Sequence, residues 1–143
     1  MEVRREDFLM VYERSVNYYE TDGMGIVHHS NYIRYLEEAR LYFLDAMGLP
    51  YHKIEEEKLM IPVLGVNCTY HYPARFDDVL IISPKITEFN GVRMTVFYRI
   101  TEKKTGNLVL EGETKHCFTD CHLKPVSLKK VKPEMYQIFS STL

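Results

Sequence analysis

Two short turn signals in the second half of the chain constrain the fold more than any other sequence feature. Asn90-Gly91 separates strand-like runs at 78–88 and 92–102, and Thr105-Gly106-Asn107 separates the second run from a third at 108–119. Asn and Gly both tolerate positive φ, which the tightest hairpin turns require. Connections of two or three residues join antiparallel neighbours, because parallel strands need a long crossover. The sequence therefore predicts an antiparallel three-stranded meander.

One long helix and two further strands complete the predicted fold. Apolar side chains recur every three or four residues over 32–47, as on a buried helix face, and Gly48-Leu49-Pro50 ends the helix. Alternating residues from Phe8 onward predict a first strand that ends near Tyr19, and a run at 61–72 predicts another. The order β-α-β-β-β-β predicts an α+β fold, with a five-stranded antiparallel sheet packed on one helix.

Weaker patterns flank these elements. The polar segment 51–58 is compatible with a short helix, and residues 124–143 predict a C-terminal extension, an edge or solvated segment with a last helical turn at 135–139. No linker or repeat divides the chain, so residues 1–143 are predicted to form a single domain. The extension is rich in lysine: Lys124, Lys129, Lys130 and Lys132.

Composition restricts the classes of partner. The chain has 143 residues and a net charge of −2, from 18 Lys and Arg against 20 Asp and Glu, so it has no excess positive charge to attract nucleic acid. No run approaches the roughly 20 apolar residues of a membrane-spanning helix. Three cysteines without an obvious pairing, and an amino-terminal sequence without an apolar signal run, favour a cytoplasmic protein.

The segment from Tyr18 to Arg40 has the layout of an active site. Asp22 follows the first strand, Gly23 and Gly25 loosen the backbone, and Ser30 is a residue type that favours the start of a helix. Amide N–H groups at a helix start have no partner within the helix and can bind an oxyanion. Taken alone, however, an Asp in a Thr-Asp-Gly context is more often a turn former than a catalyst.

The same segment resembles the signature of the 4-hydroxybenzoyl-CoA thioesterase-like proteins of the hot-dog fold. That fold implies a five-stranded antiparallel sheet wrapped around one long central helix. Its signature is a strand ending in an Asp, then a GxV triplet, a His- and Tyr-rich helix start, and E-x-A-R. The matching pieces here are Thr21-Asp22, Gly25-Ile26-Val27, His28-His29-Ser30-Asn31-Tyr32 and Glu37-Glu38-Ala39-Arg40.

The resemblance implies hydrolysis of an acyl-CoA thioester to free acid and CoA, with Asp22 as nucleophile or as general base. It also implies an oxyanion site at the backbone N–H of His29, so both residues are predicted to be catalytic. Glu37 is a reserve candidate, because another hot-dog branch uses a helix glutamate. The predicted substrate-binding residues are Gly25, Val27, His28, Tyr32 and Arg75, the last because a guanidinium binds phosphate in a bidentate manner.

The resemblance further implies a homodimer or homotetramer that needs no cofactor, since coenzyme A is part of the substrate. Two alternatives stay open: a thioesterase acting on acyl-carrier protein, and a non-catalytic module that binds acyl thioesters. The chain departs from the family pattern at Glu20, where Asp is common, and at His28, where Tyr or Trp is usual. The His28 change could alter the choice of acyl group, so the aromatic substrate of the family's name is not carried over.

A metal site in the motif 116–122 is disfavoured by spacing. At about 3.3 Å per strand residue, Cys117 and Cys121 lie roughly 13 Å apart, too far to share one zinc ion. No metal is therefore predicted. A nucleophilic Cys68 or Cys117 would need a partner base to activate it, and the sequence identifies none, so a cysteine nucleophile is disfavoured too.

Overall fold

The computed structural model describes residues 10–143 and has the predicted α+β architecture. A five-stranded antiparallel sheet packs against one long helix, and three shorter α-helices, a 3-10 helix and a small second sheet accompany it. The elements are β1 (Tyr12–Ser15), a 3-10 helix (Tyr18–Glu20), α1 (His29–Ala46), α2 (Tyr51–Glu56), β2 (Leu59–Met60), β3 (Val63–Tyr70), β4 (Val79–Phe89), β5 (Arg93–Glu102), β6 (Leu108–Cys117), β7 (Thr119–Asp120), α3 (Leu128–Val131) and α4 (Pro133–Ser140).

The large sheet has the strand order β1-β4-β5-β6-β3. Strands β4, β5 and β6 are neighbours in both sequence and space, so the predicted meander is confirmed. Strand β1 pairs antiparallel with β4, in a register that runs from Tyr12 opposite Ile82 to Ser15 opposite Val79. Strand β3 lies at the far edge, beside β6.

The prediction that the first strand continues to near Tyr19 is wrong. Strand β1 ends at Ser15, and after it the Val16 N–H still donates to the Asp78 carbonyl oxygen at 2.9 Å. The chain then turns into the 3-10 helix, because the Glu20 carboxylate reaches back and accepts the Asn17 N–H at 2.8 Å. The part of the prediction that rests on Phe8 lies outside the described residues.

Two of the predicted strands differ from the structure at their ends. The run at 61–72 is confirmed as β3, which begins after Pro62 because proline cannot donate to a sheet, and the separate strand β2 lies before this run. The run at 108–119 ends as β6 at Cys117, and the Phe118 N–H donates across to the Val92 carbonyl oxygen at 3.0 Å. Strands β2 and β7 then pair with each other as a two-stranded antiparallel sheet.

The chain forms two compact units, each assembled from several segments. The first comprises the described residues up to Phe43 together with Cys68–Pro84 and Tyr98–Gly112. Its helix residues pack on its sheet, and the Arg40 guanidinium donates to the Tyr98 hydroxyl at 3.1 Å. Its fully buried side chains include Tyr35, Leu36, Ala39, Leu80, Ile82, Tyr98, Ile100 and Leu110.

The second unit comprises Leu44–Asn67, Lys85–Phe97 and Glu113–Leu143 and has an aromatic core of its own. The rings of Phe89, Phe118 and Phe139 lie within 5.7 Å of one another, measured between centroids. Leu128 and Phe139 are completely buried, so the prediction of a solvated extension is wrong for these positions. The predicted last helical turn is confirmed as part of α4, whereas α3 was not predicted.

Three further observations concern residues 10–143. The three cysteines are free thiols. Within this part of the chain, no group of three or more His, Cys, Asp or Glu side chains is arranged to hold a metal ion. None of its helices is both long enough and apolar enough to cross a membrane.

Candidate active site

The segment between the 3-10 helix and α1 is a tight loop that carries Asp22. An isolated antiparallel bridge joins Thr21 to Val27 at the base of the loop. The Asp22 N–H donates to the Ile26 carbonyl oxygen at 2.8 Å. Gly25 has a φ of 79°, in the left-handed region that side chains with a Cβ rarely adopt. The predicted role of glycine as a turn residue therefore applies to Gly25.

The Asp22 carboxylate is oriented by its own loop. Its Oδ1 accepts the N–H of Met24 at 2.7 Å and lies 3.4 Å from the N of Ile26. Within residues 10–143, its Oδ2 makes no hydrogen bond, and the side chain is partly exposed. One oxygen thus stabilises the turn, as the turn-former interpretation expects, and the other is available to a substrate or water.

His28, not Ser30, caps the helix. Helix α1 begins at His29, two residues earlier than a Ser30 cap requires, so that prediction is wrong. The His28 Nδ1 accepts the Ser30 backbone N–H at 3.2 Å and lies 2.8 Å from the Ser30 hydroxyl. An imidazole nitrogen can act here because any acceptor that reaches the second or third helical N–H satisfies the cap. The His28 and His29 rings stack at 4.2 Å and are exposed.

The first turn of α1 can receive a negative charge. Within residues 10–143, the backbone N–H of His29 has no hydrogen-bond partner. The first turn contains no acidic residue that would neutralise the positive end of the helix dipole. An unpaired N–H at a helix start, on the same loop-helix segment as the partly exposed Asp22 carboxylate, is suited to hold a developing oxyanion.

Tyr32 links the helix to the loop. Its hydroxyl accepts the Ala74 N–H at 3.2 Å, and the Ala74 carbonyl oxygen accepts the Val27 N–H at 2.8 Å. The ring is 5% exposed and packs against Tyr70 at 5.2 Å between centroids. Burial raises the pKa of the Tyr32 phenol, so the hydroxyl keeps its proton at neutral pH.

The remaining predicted site residues divide into one that joins the loop and one that does not. Arg75 forms an isolated bridge with Ile26, and its guanidinium is on an exposed residue. Glu37 is exposed on α1, eight residues beyond His29, or about 12 Å along the helix axis. The structure therefore assembles Asp22, Gly25, Val27, His28, His29, Tyr32 and Arg75 around one loop and leaves Glu37 apart.

An ion cluster at the entrance to the loop was not predicted from the sequence. The Arg14 guanidinium pairs with the carboxylates of Glu20 and Glu38 and lies 4.5 Å from the centre of the Tyr35 ring. Burial opposes ionisation of the Glu20 carboxyl, but hydrogen bonds from Arg14 and from the Asn17 N–H outweigh it and lower its pKa. In the sequence, the only sign of this cluster is a charged residue in each of β1, the 3-10 helix and α1: Arg14, Glu20 and Glu38.

The arrangement of Asp22 and the start of α1 agrees with the proteins to which this chain is similar. The acyl-CoA thioester hydrolase YbgC of Escherichia coli O157:H7 is 30% identical over 116 residues, which cover 80% of this chain and 86% of that protein. The chain is also similar to the crystal structure of a hypothetical protein, TT1821 from Thermus thermophilus. The two sequences are 34% identical, the TM-score is 0.84, and the match covers 93% of this chain and 98% of that chain.

The chain is also similar to a solved structure that is named as a thioesterase. The crystal structure of DHNA-CoA thioesterase from Staphylococcus aureus is 26% identical with a TM-score of 0.87, and covers 92% of this chain and 88% of that chain. The predictions of a hot-dog fold and of a thioesterase are confirmed by these relatives. A family model described as the thioesterase-like superfamily matches residues 16–139, and the chain belongs to that superfamily.

Proposed function

We propose that this thioesterase hydrolyses acyl-CoA to a free acid and coenzyme A, with Asp22 as the catalytic carboxylate. The observation that carries the proposal is the combination of two groups: the Asp22 carboxylate in the loop, with one oxygen free, and the unpaired N–H of His29, where the helix after the loop begins. The names of the relatives, which include acyl-CoA thioester hydrolase and DHNA-CoA thioesterase, support a CoA thioester as substrate.

Two routes use the same groups. The free oxygen of Asp22 can attack the thioester carbonyl carbon and expel the thiolate, leaving an acyl anhydride that water then hydrolyses. Alternatively, the carboxylate takes a proton from a water molecule as that water attacks, and the tetrahedral intermediate expels the thiolate. In both routes the carbonyl oxygen becomes negative, and the His29 N–H stabilises that charge.

The leaving group needs little assistance. A thiol has a pKa near ~8.5, so the thiolate leaves without a strong general acid. This fits a site whose described residues supply a carboxylate and a backbone donor. The His29 contribution comes from its main chain, so His29→Ala is expected to reduce turnover less than a change at Asp22 does.

Recognition of the substrate is assigned to the surface of the same loop. We propose that Gly25, Val27, His28 and Tyr32 border the acyl or thiol end of the cleft, and that Arg75 binds a phosphate of CoA. Arg75 is an exposed residue whose backbone forms a bridge with Ile26 of the loop, which supports the assignment. Arg75→Met is expected to raise KM for acyl-CoA and to leave kcat nearly unchanged.

We propose that the chain acts in the cytoplasm as a homodimer or homotetramer of single-domain subunits, without a cofactor. The edge strand β3 supports assembly, because edge strands with exposed apolar side chains are a template for pairing with another chain. Four large apolar residues of β3 are 42–51% exposed: Val63, Leu64, Val66 and Tyr70. Light scattering after size-exclusion chromatography tests this directly, and a monomer at micromolar concentration would refute it.

The catalytic proposal is tested by thiol release from short, medium, long and aromatic acyl-CoAs. The informative comparison is Asp22→Asn with Asp22→Ala. Asparagine keeps an oxygen that can accept the Met24 N–H and thus preserves the turn, whereas alanine removes both the turn bond and the charge. If Asp22 acts only in the turn, Asp22→Asn stays active. If it is catalytic, both variants lose at least about 10² in kcat.

Asp45→Asn is the matched control, because it makes the same isosteric change on an exposed residue near the end of α1. Full activity in Asp22→Asn would sink the assignment and turn attention to Glu37. Binding of acyl-CoA without turnover by the wild type would instead favour a binding module. Hydrolysis of an acyl thioester on acyl-carrier protein, without hydrolysis of any acyl-CoA, would favour the carrier-protein thioesterase.

A further inference from the structure

Three hydrogen bonds converge at the base of the Asp22 loop. The carbonyl oxygen of Glu20 accepts the backbone N–H of His28 at 2.9 Å and the side-chain Nδ2 of Asn31 at 2.9 Å. The Asn31 backbone N–H donates to the His28 carbonyl oxygen at 2.9 Å. Glu20 is the last residue before the loop, His28 is the last residue of the loop, and Asn31 lies in the first turn of α1. The bonds therefore join both ends of the loop to the helix start.

Glu20, the acceptor of two of these bonds, is itself held in place. Its side chain is held by Arg14 and by the Asn17 N–H, and the residue is 4% exposed. A carbonyl oxygen on a residue anchored in this way can set the position of whatever donates to it. Asn31 is also buried, at 8% exposed, so its amide acts inside the protein.

We propose that Asn31 is a positioning residue that holds the Asp22 loop in register with the start of α1. Its side-chain amide fastens the start of α1 to the end of the 3-10 helix, and so sets the spacing between the Asp22 carboxylate and the His29 N–H. This inference rests on the proposed function, because it assumes that these two groups act on the same thioester. It adds a residue that touches neither the substrate nor the reacting atoms.

The expected kinetic signature follows from this indirect role. A misplacement of about 1 Å at a reacting group, caused from a distance, can cost about 10² in rate. Removing the Asn31 amide leaves the His28 N–H on the Glu20 carbonyl, so the loop loosens but keeps one tether. Turnover should therefore fall while substrate binding, which does not require the exact spacing between the Asp22 carboxylate and the His29 N–H, stays close to that of the wild type.

The test uses the full chain and two variants of Asn31. Asn31→Leu keeps the approximate shape of the side chain and removes the donor. Asn31→Ser removes bulk, and its hydroxyl is too short to reach Glu20. Ile86→Val, in the buried core of β4, is the control for a loss of stability without a change at the loop. For each protein, kcat, KM and the thermal midpoint are measured, together with amide exchange at Met24, whose N–H is bonded to Asp22.

We expect kcat of both Asn31 variants to fall by at least about tenfold relative to the control, with KM within about threefold and faster exchange at Met24. If Asn31→Leu does not fold, Asn31→Ser decides the question. A kcat within about threefold of the control, or a loss confined to KM, overturns the inference. The same substrate is used with Asp22→Asn. Turnover retained there refutes the proposed function, whereas turnover lost there but kept in the Asn31 variants refutes this inference alone.

Discussion

Replacing Arg14 by Met should destabilise the protein far more than replacing an exposed lysine does. The Arg14 side chain is 15% exposed and that of its partner Glu20 is 5% exposed. Removing one member of a buried ion pair leaves the other charge buried without compensation, which costs about 3–5 kcal/mol. Met retains much of the apolar stem of Arg14, so the loss reports mainly on the charge.

Urea unfolding followed by far-UV circular dichroism measures this effect. With an m-value of about 2 kcal/mol/M, a loss of about 3–5 kcal/mol lowers the midpoint by about 1.5–2.5 M. Protein concentration is held constant, because assembly would make the midpoint depend on it. Lys103→Met is the matched control. Lys103 pairs with Glu13 at 3.1 Å, but the two side chains are 55% and 49% exposed, and exposed pairs contribute about 0–1 kcal/mol.

The pH dependence gives an independent check. In the wild type, the pKa of Glu20 lies below its unfolded value of about 4.3. Its carboxylate therefore stabilises the fold above that pH, and the contribution is lost as the pH falls through the folded pKa. In Arg14→Met, burial without a cation favours protonation of Glu20. The difference in stability between the two proteins should accordingly be largest at pH 7 and shrink toward pH 4.

Two results would refute this reasoning. One is a loss below about 1 kcal/mol at pH 7, comparable with the Lys103→Met control. The other is a difference that stays constant between pH 7 and pH 4. The double variant Arg14→Met with Glu20→Gln should be more stable than Arg14→Met alone, because it no longer buries an unpaired carboxylate.

Three further changes have definite expected outcomes, each read from the midpoint of chemical unfolding. Tyr32→Phe leaves the buried Ala74 N–H without its acceptor and should cost about 1–3 kcal/mol, and an unchanged midpoint would contradict the observed bond. Phe139→Ala removes a completely buried ring and should cost about 3–5 kcal/mol, whereas a small loss would mean that the C-terminal helix is not part of the core. Gly91→Ala should cost about 1–3 kcal/mol, because Gly91 has a φ of 90° and an added Cβ would lie 3.0 Å from the Tyr136 ring. Wild-type stability in Gly91→Ala would show that the turn relaxes freely.

Local patterns predicted the central part of the fold well. The turns at Asn90-Gly91 and Thr105-Gly106-Asn107 act through the φ preferences of their own residues, and Gly91 and Gly106 do have positive φ. The apolar face of the long helix was predicted equally well, because residues three and four apart share a face in any helix. These features need no distant partner, so the sequence alone predicts them.

The errors lie where a distant contact overrides a local pattern. The C-terminal segment carries four lysines, but its apolar residues, including Phe139, find partners in Phe89 and Phe118, which are far away in the sequence. The first strand ends early because the Glu20 carboxylate turns back toward Asn17 and pairs with Arg14. Alternation of apolar and polar residues could not reveal either contact.

For the candidate site, the sequence by itself determined which residues are present: a carboxylate at Asp22, a permissive Gly25 and a helix start just beyond them. Only the tertiary structure decided how they are held. It placed His28 as the cap, anchored the loop through Ala74, and clamped both ends of the loop at Glu20. The physical reason is that a chemical group is encoded residue by residue, whereas its orientation depends on hydrogen bonds between segments that meet only after the chain has folded.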